Sequence, residues 1–471
     1  MSDLLLRGGR VIDPANDLDG TRDLLVHGGR IAALGSNLSE HPAARGVPVF
    51  EAAGLVVAPG LIDLHVHFRE PGQTAKETIE TGARCAARGG FTAVVCMPNT
   101  SPALDAAAAV GLVRDRAAQR ACVRVFVAGA ITKDLAGDEL APIGSLDRAG
   151  VVAITDDGHC VQNGEVMRRA LEYAGMYGLK VMDHCQDYGL VSEGVMHEGY
   201  WSTLLGLRGW PAVGEDAIVA RNILLARLTG THIHCQHISS SRSVELLRQA
   251  RAEGVPISGE ACPHHFVLTD AAIAGSERFW AGDGSTLFAA QLMPPDERPA
   301  WPAYDTHFKM NPPLRSAEDR AAVVAGLRDG TLDVLASDHA PHCNYEKDVE
   351  FDTAPFGILG LETELALALG ELYHAGHLSL SQVIERYTVR PATLLPRLVD
   401  DTGRSLGRIE VGGAADLTLI DPEREWTYDV RQTASLSVNS PFHQWRLKGK
   451  AVATLCAGRV IWTERPMPGI G

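Results

Sequence analysis

Apolar residues follow two different rhythms along the chain, and the change of rhythm divides it into three parts. Residues 1–58 and 401–471 contain short apolar runs separated by glycine turns, such as LLLRGGRVIDP and KAVATLCAGRVIW. That pattern is typical of hairpins in a small sheet. In residues 59–400, apolar runs of strand length alternate with helical patterns, which predicts βα units and a parallel sheet.

The central part contains eight runs of strand length. Helical patterns such as GEVMRRALEYAGMYG and SVELLRQARAEG separate most of them, and eight strands with intervening helices is the count of a (β/α)8 barrel. We therefore predict an α/β fold, a (β/α)8 TIM barrel with a small flanking β-sandwich domain formed by both termini. The eight runs are LIDLHVHF, FTAVVCMPN, VRVFVAGAI, VVAITDDG, KVMDHC, THIHCQHIS, VPISGEACP and LDVLASDHA.

An insertion at residues 275–307 interrupts this rhythm after the seventh predicted strand. A long loop within a compact domain is usually functional or mobile, and the proline and glycine content of this insertion disfavours a regular element. Its aromatic residues Phe279, Trp280 and Trp301 favour docking onto an apolar surface. Two roles remain open, a cover over the substrate and a contact surface for a neighbouring subunit or partner, and we favour the contact surface.

The balance of charges argues against several classes of partner. The 471 residues carry a net charge of −15 without a basic run, which disfavours nucleic acid or an anionic membrane as partner. No apolar run approaches the length of a membrane span, and the N-terminus lacks the apolar core of a signal peptide. The nine cysteines are dispersed and form no CxxC pair, as expected for free thiols in a reducing cytosol. We expect a cytoplasmic protein with a small-molecule substrate.

The first predicted barrel strand carries the pattern HxH. Successive side chains point to opposite faces of a strand, so His65 and His67 point the same way, and two such imidazoles can hold a metal ion. Arg69 follows closely as a fixed cation beside whatever these histidines bind. On its own, this short pattern fits two ordinary histidines of a half-buried strand equally well.

Residues of the types that ligate zinc recur at the carboxyl ends of other predicted strands, where a barrel of this kind builds its active site. Taken singly, each has a structural explanation, since Asp156 and Asp157 suit a turn before a glycine and Asp338 suits a helix N-cap. On the sixth strand only His237, of three histidines, lies at the carboxyl end. Together they predict a one- or two-metal hydrolase site. The candidate set is His65, His67, Asp156 or Asp157, His184, His237 and Asp338.

Such a set fits metal-assisted hydrolysis. A metal ion lowers the pKa of bound water from about 16 to about 7, which gives a metal-activated hydroxide at neutral pH. One carboxylate can bridge two ions, and a further carboxylate such as Asp338 can take a proton from the nucleophile and pass it to the leaving nitrogen.

A series of short motifs, in a fixed order, carries a family resemblance. They are DLHVHFREPG, MPNT, TDDG, MDHC, QHIS, PHH, KMNPPLR, SDHAPH and APFG. Over nearly the whole chain they resemble the bacterial dihydroorotases that bridge their metals with Asp instead of a carbamylated Lys. The resemblance implies the reversible cyclisation of N-carbamoyl-L-aspartate to L-dihydroorotate plus water in de novo pyrimidine (UMP) biosynthesis. It also implies one or two Zn²⁺ ions per subunit, with two favoured, and a homo-oligomer able to assemble with aspartate carbamoyltransferase.

The same resemblance assigns roles residue by residue. It implies Asp157 as the bridge between the metals and Asp338 as the catalytic acid/base. The implied metal ligands are His65, His67, Asp157, His184, His237 and Asp338. The implied substrate-binding residues are His67, Arg69, Asn99, Asn311, His342, Phe356 and Gly357, of which Arg69, Asn99 and His342 would hold the carboxylate. Arg69 suits that role because its planar guanidinium matches a carboxylate.

Two other interpretations remain open. Cyclic-amide hydrolases acting on hydantoins, dihydropyrimidines or allantoin share the HxH strand, but they use a carbamylated Lys as bridge, and no Lys lies between Lys133 and Lys180. A catalytically inactive homologue acting as a scaffold should have lost metal ligands or Asp338, whereas all of them are present.

Overall fold

The computed structural model describes residues 3–466, in which strands and helices alternate through the central part of the chain. The strands are β1 (Leu4–Asp13), β2 (Leu18–His27), β3 (Arg30–Gly35), β4 (Val49–Glu51), β5 (Val56–Pro59), β6 (Leu61–Val66), β7 (Phe91–Cys96), β8 (Arg124–Gly129), β9 (Ala153–Ile154), β10 (Lys180–Asp183), β11 (Met196–His197), β12 (Gly209–Trp210), β13 (Ile233–Cys235), β14 (Ile257–Ala261), β15 (Val334–Leu335), β16 (Leu417–Thr427), β17 (Arg446–Cys456) and β18 (Arg459–Thr463). The helices are α1 (Ile79–Gly89), α2 (Ala107–Arg120), α3 (Ile143–Ala149), α4 (Gly164–Met176), α5 (Tyr188–Val191), α6 (Tyr200–Leu205), α7 (Val213–Thr229), α8 (Ser241–Ala252), α9 (Pro263–Val267), α10 (Ser276–Ala281), α11 (Phe288–Leu292), α12 (Ala317–Asp329), α13 (Asn344–Lys347), α14 (Glu364–Ala368), α15 (Leu380–Tyr387) and α16 (Val389–Leu394).

Among residues 3–466, eight parallel strands form the central sheet in the order β6, β7, β8, β9, β10, β13, β14 and β15. Each of the eight predicted runs contains one of them. A parallel bridge between Val66 and His339, with a hydrogen bond from the His67 amide to the His339 carbonyl (2.9 Å), brings the end of the last strand to the first. The sheet thereby curls into a nearly closed barrel, and the predicted α/β barrel fold is confirmed.

The barrel helices cover the outside of this sheet. α4 shows why its sequence forms a helix there: Asn163 caps it by accepting hydrogen bonds from the Glu165 and Val166 amides (2.9 and 3.4 Å). Its apolar residues recur at helical spacing and are buried, namely Met167, Ala170, Leu171 and Ala174. None of the helices between residues 3 and 466 has both the length and the apolar character needed to cross a membrane.

The two ends of the chain meet in a second sheet, with the order β18, β17, β16, β5, β1, β2 and β3 and with β4 paired to β1. β16 pairs antiparallel with β5, so the C-terminal strands continue the N-terminal ones. Gly60 then links β5 to the barrel, and only glycine fits there because a Cβ would lie 2.1 Å from the Thr92 hydroxyl. The prediction that both termini form a small flanking β-domain is confirmed, and its strands lie in this one sheet. The boundaries 1–58, 59–400 and 401–471 stay predictions, and residues 1–2 and 467–471 lie outside the described residues.

The insertion at residues 275–307 is more regular than its composition suggests, because it contains the short helices α10 and α11. The prediction that it lacks regular elements is therefore wrong. Its aromatic residues pack inside the same chain: the Trp280 ring lies 5.0 Å from Trp445, which directly precedes β17, and the Trp301 ring lies 4.8 Å from Phe308. These aromatics therefore give no support to an external docking surface, and the role of the insertion stays a prediction.

Candidate active site

The carboxyl ends of the barrel strands surround a cavity of about 330 Å³. His65 lies fully buried beside it, and every other candidate residue from the sequence except Asp156 lines it. The lining residues are His67, Arg69, Asn99, Asp157, Gly158, His184, His237, Asn311, Asp338, Ala340, His342, Pro355, Phe356 and Gly357. The fold therefore gathers residues that are spread over nearly 300 positions of sequence into one site.

His65 and His67 sit at the end of β6 with their rings 5.4 Å apart. His65 Nδ1 lies 2.7 Å from Oε1 of Glu260, and His67 Nδ1 lies 2.8 Å from Oδ1 of Asn99. Because these oxygens accept hydrogen bonds, each Nδ1 donates a proton to its partner, and each Nε2 is left for the interior of the site. Both rings are thus held in the orientation that a metal ion requires.

The structure separates the two neighbouring aspartates that follow β9. The Asp156 carboxylate accepts hydrogen bonds from the amide (3.0 Å) and the hydroxyl of Thr132, so it is occupied by the protein itself. Asp157 instead reaches the histidines, with one oxygen 3.1 Å from His65 Nε2 and the other 3.3 Å from His67 Nε2. Of the two aspartates that the sequence left open, Asp157 is the one placed among the other candidate ligands.

His184 and His237 follow β10 and β13, and their Nδ1 and Nε2 atoms lie 2.8 Å apart. Asp157 Oδ1 lies 3.9 Å from the first of these nitrogens and 3.7 Å from the second. His184 donates from Nε2 to Oε1 of Gln186 (2.8 Å), which leaves its Nδ1 facing Asp157. Burial, together with the nearby His237, lowers the pKa of His184 to about 4, so the ring is neutral at neutral pH, as a metal ligand must be.

Asp338 follows β15 and completes the cluster. Its Oδ1 lies 3.0 Å from His67 Nε2 and 3.6 Å from His65 Nε2. Burial alone would raise the pKa of Asp338, but the two histidines hold it below its usual range. Asp338 and His237 both have left-handed backbones, with φ of 48° and 32°. Such conformations cost about 1–3 kcal/mol each and concentrate at active sites.

The cluster has the composition of a divalent metal site. His65, His67 and Asp338 form one group whose ligand atoms lie within 4.8 Å of one another, and His65, Asp157 and His237 form a second. His65 Nε2 and Asp157 Oδ1 are buried without a hydrogen-bond partner within residues 3–466, since their close approach is not aligned as a hydrogen bond. Buried polar atoms are normally satisfied. Imidazole nitrogens and carboxylate oxygens so arranged fit zinc or a related ion.

Glu260 is a supporting residue that the sequence patterns did not single out. It is fully buried in β14, where Oε1 holds His65 and Oε2 accepts a hydrogen bond from His234 Nε2 (3.0 Å). Burial raises the pKa of Glu260, but the hydrogen bonds from the two histidines outweigh that effect and lower it to about 2. One signal was available in the sequence: a carboxylate in a fully buried strand requires a partner.

A cationic side chain, Arg69, also lines the cavity. Arg69 is buried and donates from Nε to the Pro341 carbonyl (3.2 Å), and within residues 3–466 no carboxylate lies in salt-bridge contact with it. Burial lowers its pKa to about 10, so it stays charged at neutral pH. Burial and Arg69 lower the pKa of His342 to about 2, and this neutral ring donates from Nε2 to the Phe356 carbonyl (2.8 Å). Arg69 is therefore the charged partner that the cavity offers to an anion.

Gly357 shapes the cavity wall through its backbone. Its φ of 118° favours glycine, and a Cβ at this position would lie 2.6 Å from the Ala340 Cβ. Its amide donates to the Lys309 carbonyl (2.9 Å) and its carbonyl accepts from Asn439 Nδ2 (3.1 Å). The structure thus gives Gly357 a close-packed position beside the site, with its amide already paired.

Comparison with known sequences gives a consistent result over almost the whole chain. The protein is 46% identical over 462 residues to the dihydroorotase of Pelotomaculum thermopropionicum, which covers 98% of this chain and 99% of that relative. It is 46% identical over 459 residues to the dihydroorotase of Citrifermentans bemidjiense, with the same two coverages. A family model described as dihydro-orotase-like matches residues 54–243.

Solved structures share the architecture. The L-hydantoinase (dihydropyrimidinase) of Arthrobacter aurescens matches with a TM-score of 0.82 at 24% identity, covering 99% of this chain and 97% of that one. The dihydropyrimidinase of Brevibacillus agri matches with a TM-score of 0.79 at 22% identity, covering 99% and 96%. These likenesses concern the fold.

The barrel and its histidine–carboxylate cluster, with these relatives, define a cyclic amidohydrolase. Within that class the relatives at 46% identity are decisive because they span 98% of the chain. The chain belongs to the dihydroorotase family.

Proposed function

We propose that this protein catalyses the reversible cyclisation of N-carbamoyl-L-aspartate to L-dihydroorotate and water, as a zinc-dependent step of de novo pyrimidine (UMP) biosynthesis. The observation that carries the proposal is that the buried Arg69 lines the same cavity as the histidine–carboxylate cluster. A substrate with one carboxylate and one cyclic amide would meet a cation and a hydrolytic centre together. The relatives named dihydroorotase support this choice of substrate.

Six side chains would hold two zinc ions in this proposal. The first ion would be held by His65, His67 and Asp338, the second by His184 and His237, and the bridge would be Asp157. When bound, the ions supply a water molecule of lowered pKa and polarise the amide carbonyl of the ring. The unpaired buried atoms His65 Nε2 and Asp157 Oδ1 support this assignment.

Asp338 is the proposed acid and base. Its carboxylate lines the cavity, and the two neighbouring histidines keep it ionised at neutral pH by lowering its pKa. In ring opening it accepts the proton of the attacking water and delivers it to the leaving amide nitrogen. In ring closure the same two transfers run in reverse, so one carboxylate serves both directions.

The part of the cavity around Arg69 would orient the substrate. The Arg69 guanidinium would bind the substrate carboxylate through its planar fork. Asn99 accepts from His67 with Oδ1, so its amide nitrogen is the group left to donate to the same carboxylate. His342 would contribute indirectly, because its Nε2 donates a hydrogen bond to the Phe356 carbonyl and so fixes that part of the cavity wall.

The proposal extends to the setting of the enzyme. We place it in the cytoplasm as a homo-oligomer that can assemble with aspartate carbamoyltransferase, with the insertion at 275–307 as the candidate contact surface. Light scattering of the purified protein, alone and mixed with aspartate carbamoyltransferase, measures both assemblies. A mass equal to one subunit under all conditions would contradict this part of the proposal.

The test of the activity uses one panel of substrates. The purified protein, stripped of metal by a chelator and reloaded with Zn²⁺, is assayed with dihydroorotate, hydantoin and allantoin. We expect turnover of dihydroorotate alone, lost on chelation and restored by Zn²⁺. Turnover of hydantoin or allantoin in preference to dihydroorotate would overturn the substrate assignment, and inactivity on all three would favour a scaffold.

A further inference from the structure

Gln186 lies behind the cavity wall and makes two hydrogen bonds with one atom. Its Oε1 accepts from His184 Nε2 at 2.8 Å and from Asn311 Nδ2 at 3.1 Å. Both partners line the cavity, whereas Gln186 does not. One side-chain carbonyl therefore touches a proposed metal ligand and a proposed substrate-binding residue at the same time.

The contact with His184 decides which nitrogen faces the metal site. A glutamine carbonyl can only accept, so His184 Nε2 must carry the proton and Nδ1 keeps its lone pair. Nδ1 is the atom that faces His237 and Asp157, at 2.8 and 3.9 Å. Partners of this kind fix the tautomer and orientation of metal-binding histidines.

The contact with Asn311 decides which atom of that amide remains for a ligand. Its Nδ2 donates to Gln186, and its Oδ1 is buried without a hydrogen-bond partner in the described part of the chain. An unpaired buried carbonyl is unfavourable, so a donor from a bound molecule would stabilise it. The substrate of the proposed reaction offers such donors, ring N–H groups in the closed form and carbamoyl N–H groups in the open form.

Gln186 is itself held by its surroundings. Its backbone carbonyl accepts from Gln162 Nε2 (2.9 Å), and Gln162 Oε1 accepts from the Tyr188 amide (2.9 Å) two residues further along. The chain that follows Gln186 is therefore held in place, as a positioning residue requires.

We propose that Gln186 is a positioning residue that couples the second metal site to substrate recognition. Its Oε1 orients His184 for the metal and, through the same atom, turns Asn311 so that Oδ1 accepts a hydrogen bond from a substrate N–H. This inference deepens the proposed function and rests on it for the identity of the substrate. The part of the inference that concerns metal binding rests on the contact between Gln186 and His184 and does not depend on the identity of the substrate.

The first test measures metal binding without turnover. Metal-free protein is titrated with Zn²⁺, comparing wild type with Gln186→Met, which keeps the length of the side chain and removes the acceptor. We expect the weaker of the two binding steps to lose about 10- to 100-fold in affinity. Gln186→Glu keeps an accepting oxygen and should bind Zn²⁺ more tightly than wild type. Gln249→Met on the exposed face of α8 is the control for the substitution itself.

The second test is a double-mutant cycle at saturating Zn²⁺, with dihydroorotate as substrate. Gln186→Met and Asn311→Ala should each raise KM about 3- to 10-fold, the effect of one neutral hydrogen bond. Because Gln186 acts through Asn311, the double variant should show no further rise in KM beyond Asn311→Ala. Multiplication of the two effects would overturn the coupling, and so would a Gln186→Glu variant that behaves like Gln186→Met.

The two tests separate this inference from the proposed function. If the wild type fails to turn over dihydroorotate while Gln186→Met still weakens Zn²⁺ binding, the proposed substrate is wrong and the metal half of the inference holds. If the wild type is active and Gln186→Met has normal Zn²⁺ affinity and normal KM, the inference is wrong and the proposed function holds. Should Gln186→Met fold poorly, as judged by its melting temperature, Gln186→Glu alone still tests the inference: a charged acceptor for His184 Nε2 should tighten Zn²⁺ binding, and unchanged or weaker binding would contradict it.

Discussion

The two histidine pairs of the candidate site reach the same place by different routes. The first pair, His65 and His67, comes from one strand, whose alternation alone puts both rings on one face. The second pair, His184 and His237, comes from two strands, and only the parallel pairing of β10 with β13 brings its rings together. A local pattern therefore encodes the first pair, whereas the second depends on the fold.

The groups behind the rings differ as well. His65 is held by Glu260, a fully buried carboxylate that does not line the cavity. His184 is held by the neutral amide of Gln186, which also holds Asn311. Charge-assisted hydrogen bonds are roughly twice as strong as neutral ones. In the proposed function, the first pair would therefore hold its metal ion more firmly, whereas the second pair would connect the metal to the substrate.

Asp157→Ala should have the largest effect because, within residues 3–466, it removes the one carboxylate that approaches the histidines of both pairs. We expect metal and activity to be lost together, as measured by metal content after dialysis and by dihydroorotate turnover. Asp156→Ala is the matched control, since its carboxylate is occupied by Thr132 and should not be needed for metal. A variant Asp157→Ala that keeps its metal while Asp156→Ala loses it would reverse the assignment.

Asp338→Asn should have the next largest effect. Asparagine keeps the shape and an oxygen for the first pair but cannot accept the proton, so kcat should fall by about 10²–10⁴. Metal content must stay at the wild-type level, which separates loss of the proton transfer from loss of the site. Near-normal turnover with metal bound would remove Asp338 from its proposed role.

Arg69→Met leaves both histidine pairs intact and tests only the proposed binding of the substrate carboxylate by Arg69. Loss of the charged hydrogen-bond partner should cost about 1.5–3 kcal/mol in kcat/KM for dihydroorotate. A neutral cyclic imide of similar shape should lose far less, because it has no carboxylate to bind. Equal losses on both substrates would mean that Arg69 has a structural role in the cavity wall and does not bind the substrate carboxylate.

Much of the fold could be read from the sequence because the barrel strands are short, continuous apolar runs at regular spacing. All eight were predicted, including β9 and β15, which are only two residues long in the structure. The insertion at 275–307 was harder, since its helices are short and are stabilised by packing of Trp280 against Trp445. That contact joins positions far apart in the chain, which no local pattern encodes.

In the candidate site, too, some features follow from local sequence patterns and others depend on contacts between distant residues. The ligand types at the strand ends were visible in the sequence, but their pattern alone left Asp156 and Asp157 open. The family resemblance implied Asp157, and the hydrogen bonds of Thr132 to Asp156 give the physical reason. Glu260 lies 195 residues from His65 in the chain, so its role appears only once β14 and β6 share a barrel. The left-handed backbone of His237 had no signal either, because such conformations are usually marked by glycine.

Glu260→Gln should have the smallest effect of the series and sharpens the comparison most directly. Glutamine keeps the shape of the side chain and can still accept from His65, but it removes the buried charge. We expect Zn²⁺ affinity of the metal-free protein to fall by about 10- to 100-fold. At saturating Zn²⁺, KM for dihydroorotate should stay at its wild-type value, because Glu260 contacts His65, His234 and the His237 amide but not Arg69 or Asn99.

This outcome is the opposite of the one expected for Gln186→Met, in which KM rises even when metal is saturating. Ser258→Ala is the matched control. The Ser258 hydroxyl contacts His234 Nδ1 (2.8 Å), and His234 in turn contacts Glu260, so Ser258 lies further from the proposed metal site than Glu260 does. The Zn²⁺ affinity of this variant should stay close to wild type. If Glu260→Gln instead raises KM at saturating Zn²⁺, the effect of Glu260 extends to the substrate, and its contact with the His237 amide (3.3 Å) is the route by which it would do so.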